Sequence, residues 1–409
     1  MKISLNKLAM ALLAVSAAGR TAVAQQWIIT TADFREQTGM LHSLSADGVG
    51  LATDNPSTQP TERIVPLDQF VSVNRPGTSA ATSDGFTLLL AGGDRLTGTP
   101  GGVSDEQLAW TNPTLGRLTI PLRRLVALGR GENTGAPDSP PKQDIVTLAN
   151  GDVVSGVLTG CSADTITITT DGGPENIPLA SVSRAVFAVT GAAGGVSHGF
   201  RVRLTDGSAV SATDVSVSQN RLTLMLDAKP PQTISVDLAQ VYGIEQIGGP
   251  VLWVSSMTPT ENVQVPYFGG SSGGGSWPAR FDASVDGSAM QFDGRRFEHG
   301  IGVHAYSRLS FAIEPGWVGF RAQYAIDQQS DATRPLADVT VRIRLDGKTV
   351  YERPHVRAGA LSNVVALELN GAKQLTLEAD YGDAGDVQAH LDWIEPALLR
   401  QLSPAAPQP

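Results

Sequence analysis

Cysteine is nearly absent from this 409-residue chain: Cys161 stands alone, so no intrachain disulfide can form. Stability must come from apolar cores, and a chain this long can fill about two to four of them. Positive charge is also short, with 30 Lys and Arg against 40 Asp and Glu. Phosphate recognition needs a basic face, so nucleic acid and anionic lipid are not expected partners. Past the first two dozen residues no run approaches the ~18 apolar residues of a membrane helix, and no membrane span is expected. Long stretches of 3.6-residue periodicity are missing, which leaves little helix. Neither C-x-x-C nor H-E-x-x-H occurs, and no catalytic constellation emerges.

What is present begins with a leader. Lys2 and Lys7 precede a short apolar run, and Ala22-Val23-Ala24 fits a cleavage site, so residues 1–24 read as a secretory signal cut after Ala24. The mature protein is then expected outside the cytoplasm, secreted or periplasmic. Cleavage removes Lys2, Lys7 and Arg20 and no acid, so 27 bases face 40 acids and the net charge becomes −13. That balance suits solubility and neutral ligands.

The first half repeats. Segments starting at Gly39, Gly93, Gly151 and Gly207 align, with equivalent leucines at Leu67, Leu122, Leu179 and Leu238, which are 55, 57 and 59 residues apart. Each reads as four or five short strands. In the third unit a strand ends at the hairpin dipeptide Asn150-Gly151, and a polar turn covers 171–174. Single turns of helix are expected at 181–184 and 239–242. Pro66, Pro121 and Pro178 would each cost a central strand a ladder bond, which predicts edge strands there. The cadence is similar to that of Sm-like small β-barrels. Gly/Pro/Ser-rich linkers delimit units at 25–76, 84–130, 143–190 and 199–247; Gly248-Gly249-Pro250 precedes a module at 250–402, and 403–409 is expected to be a disordered tail. The expected fold is all-β: an array of about four small barrel-like repeats, then a sandwich.

That sandwich rests on period-two alternation, as in VTVRIRLDGKTVYE from Val339 and KQLTLEADYGD from Lys373. The same region carries G-x-x-[FY]-x-x-G-I-G-x-H-A from Gly294, Phe320-Arg321-Ala322 running into Ile326-Asp327, and D-W-x-x-A-x-L from Asp392. In this order the motifs resemble the NPCBM domain, a carbohydrate-binding module often attached to secreted glycoside hydrolases. The resemblance covers about residues 250–400 and implies a jelly-roll-like sandwich that binds a glycan. Two positions depart from it: Tyr306 stands where many relatives carry a small polar residue, and Ala325 replaces a usual glycine.

A sugar site needs an aromatic face and convergent polar groups. The expected site residues are Trp277, His304 and Tyr306, with His304-Ala305 matching the family motif. The residues leave alternatives open: His304 as a hydrogen-bonded core histidine, and Trp277 as packing over the sandwich end. Trp393 reads as core. Asp392 could hold a loop or a structural calcium, the single cofactor considered, with Asp327 and Asp383 as weaker candidates for the same tasks. Gly270-Ser271-Ser272-Gly273-Gly274 formally matches G-x-S-x-G but reads as a flexible loop, not a nucleophile elbow. His299 and His304 are five apart, so a strand points them to opposite faces and a shared metal is not expected. Asp282, Asp286 and Asp293 read as turn formers or cation ligands, and Cys161 as a small buried apolar residue. Binding without catalysis is the expected function. A cell-envelope protein-interaction role with a degenerate sugar site, or an accessory role in a glycoside hydrolase system, fits the same residues.

Overall fold

The computed structural model describes residues 26–52, 62–78, 85–130, 137, 140–188, 195–228, 231–267, 277–327 and 334–401. The expected leader at 1–24, the 270–274 run, the tail at 403–409 and parts of the linkers lie outside them. Among the described residues there is no α-helix, and the strands form four repeat units and a two-sheet sandwich.

Each unit has five strands. In the third they are Asp144–Leu148, Val153–Cys161, Thr165–Thr170, Gly173–Pro178 and Val182–Val186. The second strand bends partway. Its first half pairs with the first strand and its second half with the third, with a register shift between Leu158 and Gly160. Such a bulge lets one strand serve two sheets, and the fifth strand then returns to pair with the first. The four aligned leucines each open a three-residue 3-10 turn, Leu67–Gln69, Leu122–Arg124, Leu179–Ser181 and Leu238–Gln240. These turns begin earlier than the sequence reading placed them. The N–H of Val182 bonds back to the carbonyl of Leu179, and Val182 itself is already extended and paired. The polar turn of the third unit is likewise shorter, since Gly173 and Pro174 belong to the fourth strand. Pro121 and Pro178 end strands that pair only with the third strand of their own unit. No ladder bond is lost there.

The first unit holds a correction. Gly93, Gly151 and Gly207 occupy one structural position, the hairpin residue whose N–H bonds back across the turn, with φ of 82°, 93° and 94°. Its counterpart in the first unit is Phe34, at φ 59°, and not Gly39. A phenylalanine in left-handed conformation costs more than glycine, and its ring explains the exchange. The guanidinium of Arg321 lies 3.9 Å over it, and the Trp253 ring meets it edge-on at 6.0 Å. Both partners belong to the sandwich.

The units do not string out in chain order. The fifth strand of the first, Phe70–Asn74, pairs with that of the fourth, Val241–Ile247; those of the second and third pair likewise. One apolar core runs through all four. Buried Asn112 ties the second unit to the fourth: its Nδ2 donates to Thr97 O and Ser208 Oγ at 2.9 Å and to Asp206 Oδ2 at 3.1 Å, while its Oδ1 accepts from the N–H of Thr114 and Leu115. Asn112→Ala would strand several of these groups and is expected to cost about 2–3 kcal/mol in urea unfolding. A loss under 0.5 kcal/mol would show that the two units are held by packing alone.

In the sandwich one sheet runs Arg280–Phe281, Gly300–His304, His390–Leu399, Gly319–Ile326, Val365–Glu368, with Val251–Trp253 also on His390–Leu399. The other runs Glu261–Gln264, Ser307–Ala312, Gln374–Tyr381, Val339–Leu345, Lys348–Val356. Alternation sends Val339, Val341 and Ile343 into the core with Phe311, Phe320, Leu377 and Trp393. Arg342 and Arg344 on the opposite face pair with Glu378, which is 3% exposed. The two glycines of Gly-Ile-Gly are required by close approach. A Cβ at Gly302 would collide with the backbone of 283–285, and one at Gly300 with Met290 and the Trp393 carbonyl.

Candidate functional site

The strand Gly300–His304 pairs with His390–Leu399 so that His304 lies directly opposite His390. Their rings are 5.1 Å apart, edge to face. Trp277 completes the group. Its ring stacks on His304 at 5.5 Å and 10°, meets His390 at 4.8 Å, and keeps 41% of the residue exposed. Trp277 and His304, singled out from the sequence, thus meet in space. Tyr306 borders the same shallow depression with Gln264 and Val265.

Burial disfavours the charged form of both histidines. Burial lowers the pKa of His304. Its Nδ1 lies 2.8 Å from the Ala305 carbonyl and so carries the hydrogen, leaving Nε2 as an acceptor. Burial, then the nearby Arg334 charge, brings His390 down to about 4, and its Nδ1 has no partner among the described residues. The site therefore offers an open aromatic ring, ring nitrogens and no net charge of its own. That arrangement suits a ligand with an apolar C–H face and hydroxyls.

His390 was missed by sequence reasoning. Its signal was available: in the strand HLDW, period two places it on the face of Asp392, opposite the core residues Leu391 and Trp393.

Asp392 holds a loop. Its Oδ2 accepts from Ser284 Oγ at 2.7 Å, and burial, reinforced by Asp327 and Asp286, pushes its pKa up to about 7. It belongs to no group of three His, Cys, Asp or Glu side chains close enough to share an ion among the described residues. Such a group forms at Asp338, His355 and Asp383, but Arg357 already lies 3.1 Å from the Asp338 oxygen that His355 faces. Asp327 pairs with Arg334 at 3.1 Å. Asp286 caps Ser288 and Asp293 adopts φ 47° in its turn, both as turn formers, while Asp282 accepts from the Gly300 N–H and lies 3.5 Å from His299 Nδ1. Trp393 is core, at 1% exposure. Cys161 is only partly buried against the repeat core, and burial raises its thiol to about 11.

His299 points away from His304, as the spacing required, and into the contact between sandwich and repeats. Its Nε2 lies 2.8 Å from Glu245 of the fourth unit, and its ring stacks on Trp253 at 4.5 Å. Glu245 also binds Arg203 and accepts from Trp253 Nε1 at 2.8 Å. Beside this network Val71, Val251, Ala397 and Leu399 form a small apolar cluster across the contact.

Residues 252–399 match the family described as NPCBM/NEW2 domain. Over 125 residues the chain is 27% identical to a protein of Renibacterium salmoninarum provisionally named an endo-alpha-N-acetylgalactosaminidase; the match takes in 31% of this chain and spans 8% of that protein's length. Similar solved structures include the CBM51 of Clostridium perfringens GH95 in complex with methyl-galactose, at 18% identity, 36% of this chain, 99% of that chain and a TM-score of 0.30. Another is the CBM51-2 and INT domains of Clostridium perfringens ZmpB, at 19% identity, 44% of this chain, 36% of that chain and a TM-score of 0.32.

Proposed function

We propose that the protein is an exported, non-catalytic carbohydrate-binding protein whose sandwich takes a neutral glycan at Trp277, His304 and His390. The observation that carries this reading is the half-exposed Trp277 ring set against the rings of His304 and His390. The ring supplies an apolar platform, and the Nε2 of His304 accepts from a sugar hydroxyl. The domain match supports glycan binding. The likeness to a protein named as a glycosidase supports a second reading, in which the sandwich serves a glycoside hydrolase system as its binding part. The repeats act as the rigid body on which the sandwich is mounted.

Titration of the full chain against neutral monosaccharides by calorimetry tests this. Trp277→Ala and His304→Ala are each expected to weaken binding by about 1–3 kcal/mol, the range for a lost aromatic contact or an unpaired polar group. Trp277→Ala should leave the melting temperature near that of the wild type, since 41% of the residue is exposed and it lies outside the sandwich core. If both variants bind as wild type does, or both unfold, the residues are structural and the assignment fails.

A further inference from the structure

The aromatic surface does not stop at Trp277. Tyr306 shares one shallow depression with Trp277, His304 and Val265. Its ring lies 6.1 Å from that of Tyr381, which meets Tyr267 edge-on at 5.0 Å. The Tyr381 hydroxyl donates to the Val265 carbonyl at 2.5 Å, which fixes its ring. Tyr267 is 52% exposed and Val265 44%. The backbone N–H of Tyr267 donates to Asp386 Oδ2 at 2.9 Å. The Asp386 charge acts on both His304 and Tyr381, so this carboxylate is close to both ring groups. Three segments distant in sequence therefore bring Tyr267, Tyr306 and Tyr381 together on the surface that also carries Trp277.

We propose that Tyr267, Tyr306 and Tyr381 form a second sugar subsite continuous with Trp277 and His304, so that the ligand is a neutral oligosaccharide of at least two rings. This rests on the reading of Trp277 and His304 as a sugar site. Two adjacent apolar platforms match two successive pyranose faces. Asp386 accepts hydroxyl hydrogen bonds and repels carboxylated sugars. Tyr306 belongs to this chain's own specificity, because a small residue there would break the continuity between the platforms.

The test uses the full chain on an array of neutral glucose-, galactose-, mannose- and N-acetylhexosamine-based glycans of one to four rings. The best-bound oligosaccharide and its terminal monosaccharide are then titrated by calorimetry. The oligosaccharide is expected to bind at least tenfold tighter than the monosaccharide. Tyr267→Ala should weaken the oligosaccharide about five- to tenfold and leave the monosaccharide unchanged; Tyr306→Ser, at the border of the Trp277 depression, should weaken the oligosaccharide by more than the monosaccharide. Tyr306→Phe, which keeps the ring, should bind both as the wild type does, and it guards against a variant that merely misfolds. Trp277→Ala should weaken both ligands. Equal affinity for the two ligands, or tyrosine variants that bind the oligosaccharide like wild type, overturns the subsite and leaves the Trp277 site standing. A wild-type chain that binds no arrayed glycan overturns both.

Discussion

Glu245→Ala is expected to destabilise the protein by about 3–5 kcal/mol, the cost of leaving buried charges without their partner. The carboxylate is 6% exposed and is the shared acceptor of Arg203, His299 and Trp253. Removing it strands a guanidinium and an imidazolium in the contact between the fourth unit and the sandwich. Denaturant unfolding followed by tryptophan fluorescence should change from one transition to two, as the sandwich parts from the repeats. The pH profile of the wild type carries the same signature. His299 is raised from 6.5 to about 9, since the charges of Glu245 and Asp282 outweigh its burial; its contribution is complete below 6.5 and is lost as pH rises through about 9. Glu245 is held well below its ordinary 4.5, with His299 and Arg203 outweighing burial; its contribution is complete above 4.5 and is lost as pH falls through the acid range. The contact is therefore strongest between about pH 4.5 and 6.5 and weakens as pH rises toward 9. A variant that still melts in one transition with unchanged stability would show that Val71, Val251, Ala397 and Leu399 hold the contact unaided.

Much of this architecture was legible because strand alternation is local. VTVRIRL announces its buried and exposed faces residue by residue, and the leucines that open the 3-10 turns recur at a regular spacing. Trp277 and His304 stood out because each has a polar or exposed setting visible within a few residues. What stayed hidden depends on partners distant in sequence. The pairing of Phe70–Asn74 with Val241–Ile247 joins strands over 160 residues apart, and both read simply as apolar strands. Phe34 fills a glycine position because of Arg321 and Trp253, which no local pattern contains. Glu245 did leave a trace, a single acid inside the apolar strand VYGIEQI, but its meaning required His299 across the contact. His390 was passed over for the same reason: His304, its neighbour in register, lies 86 residues earlier.

Asp392→Asn is expected to make the protein more stable at pH 8, by about 2–4 kcal/mol, and to change little at pH 4.5. Asp392 is 5% exposed, with one hydrogen bond among the described residues, from Ser284, to offset its loss of water. Burial raises its pKa from 3.8 to about 7, a displacement of about three pKa units, and each unit is worth about 1.4 kcal/mol. A raised carboxyl contributes most when protonated, so this share of stability is complete below 3.8 and is lost as pH climbs through about 7. Asparagine keeps the shape and an acceptor for Ser284 Oγ without ever ionising, which removes the loss. Its amide nitrogen has no partner at the position of the free Oδ1, and this trims the gain from about 4 kcal/mol toward the lower figure. Urea unfolding of both proteins at pH 4.5 and pH 8 measures the difference. The same pair tests the calcium expectation: a bound cation would hold Asp392 ionised, so calcium would stabilise the wild type at pH 8 and the asparagine variant would then be the weaker of the two. A variant less stable than wild type at pH 8 without added calcium would mean that the carboxylate has a stronger partner than Ser284.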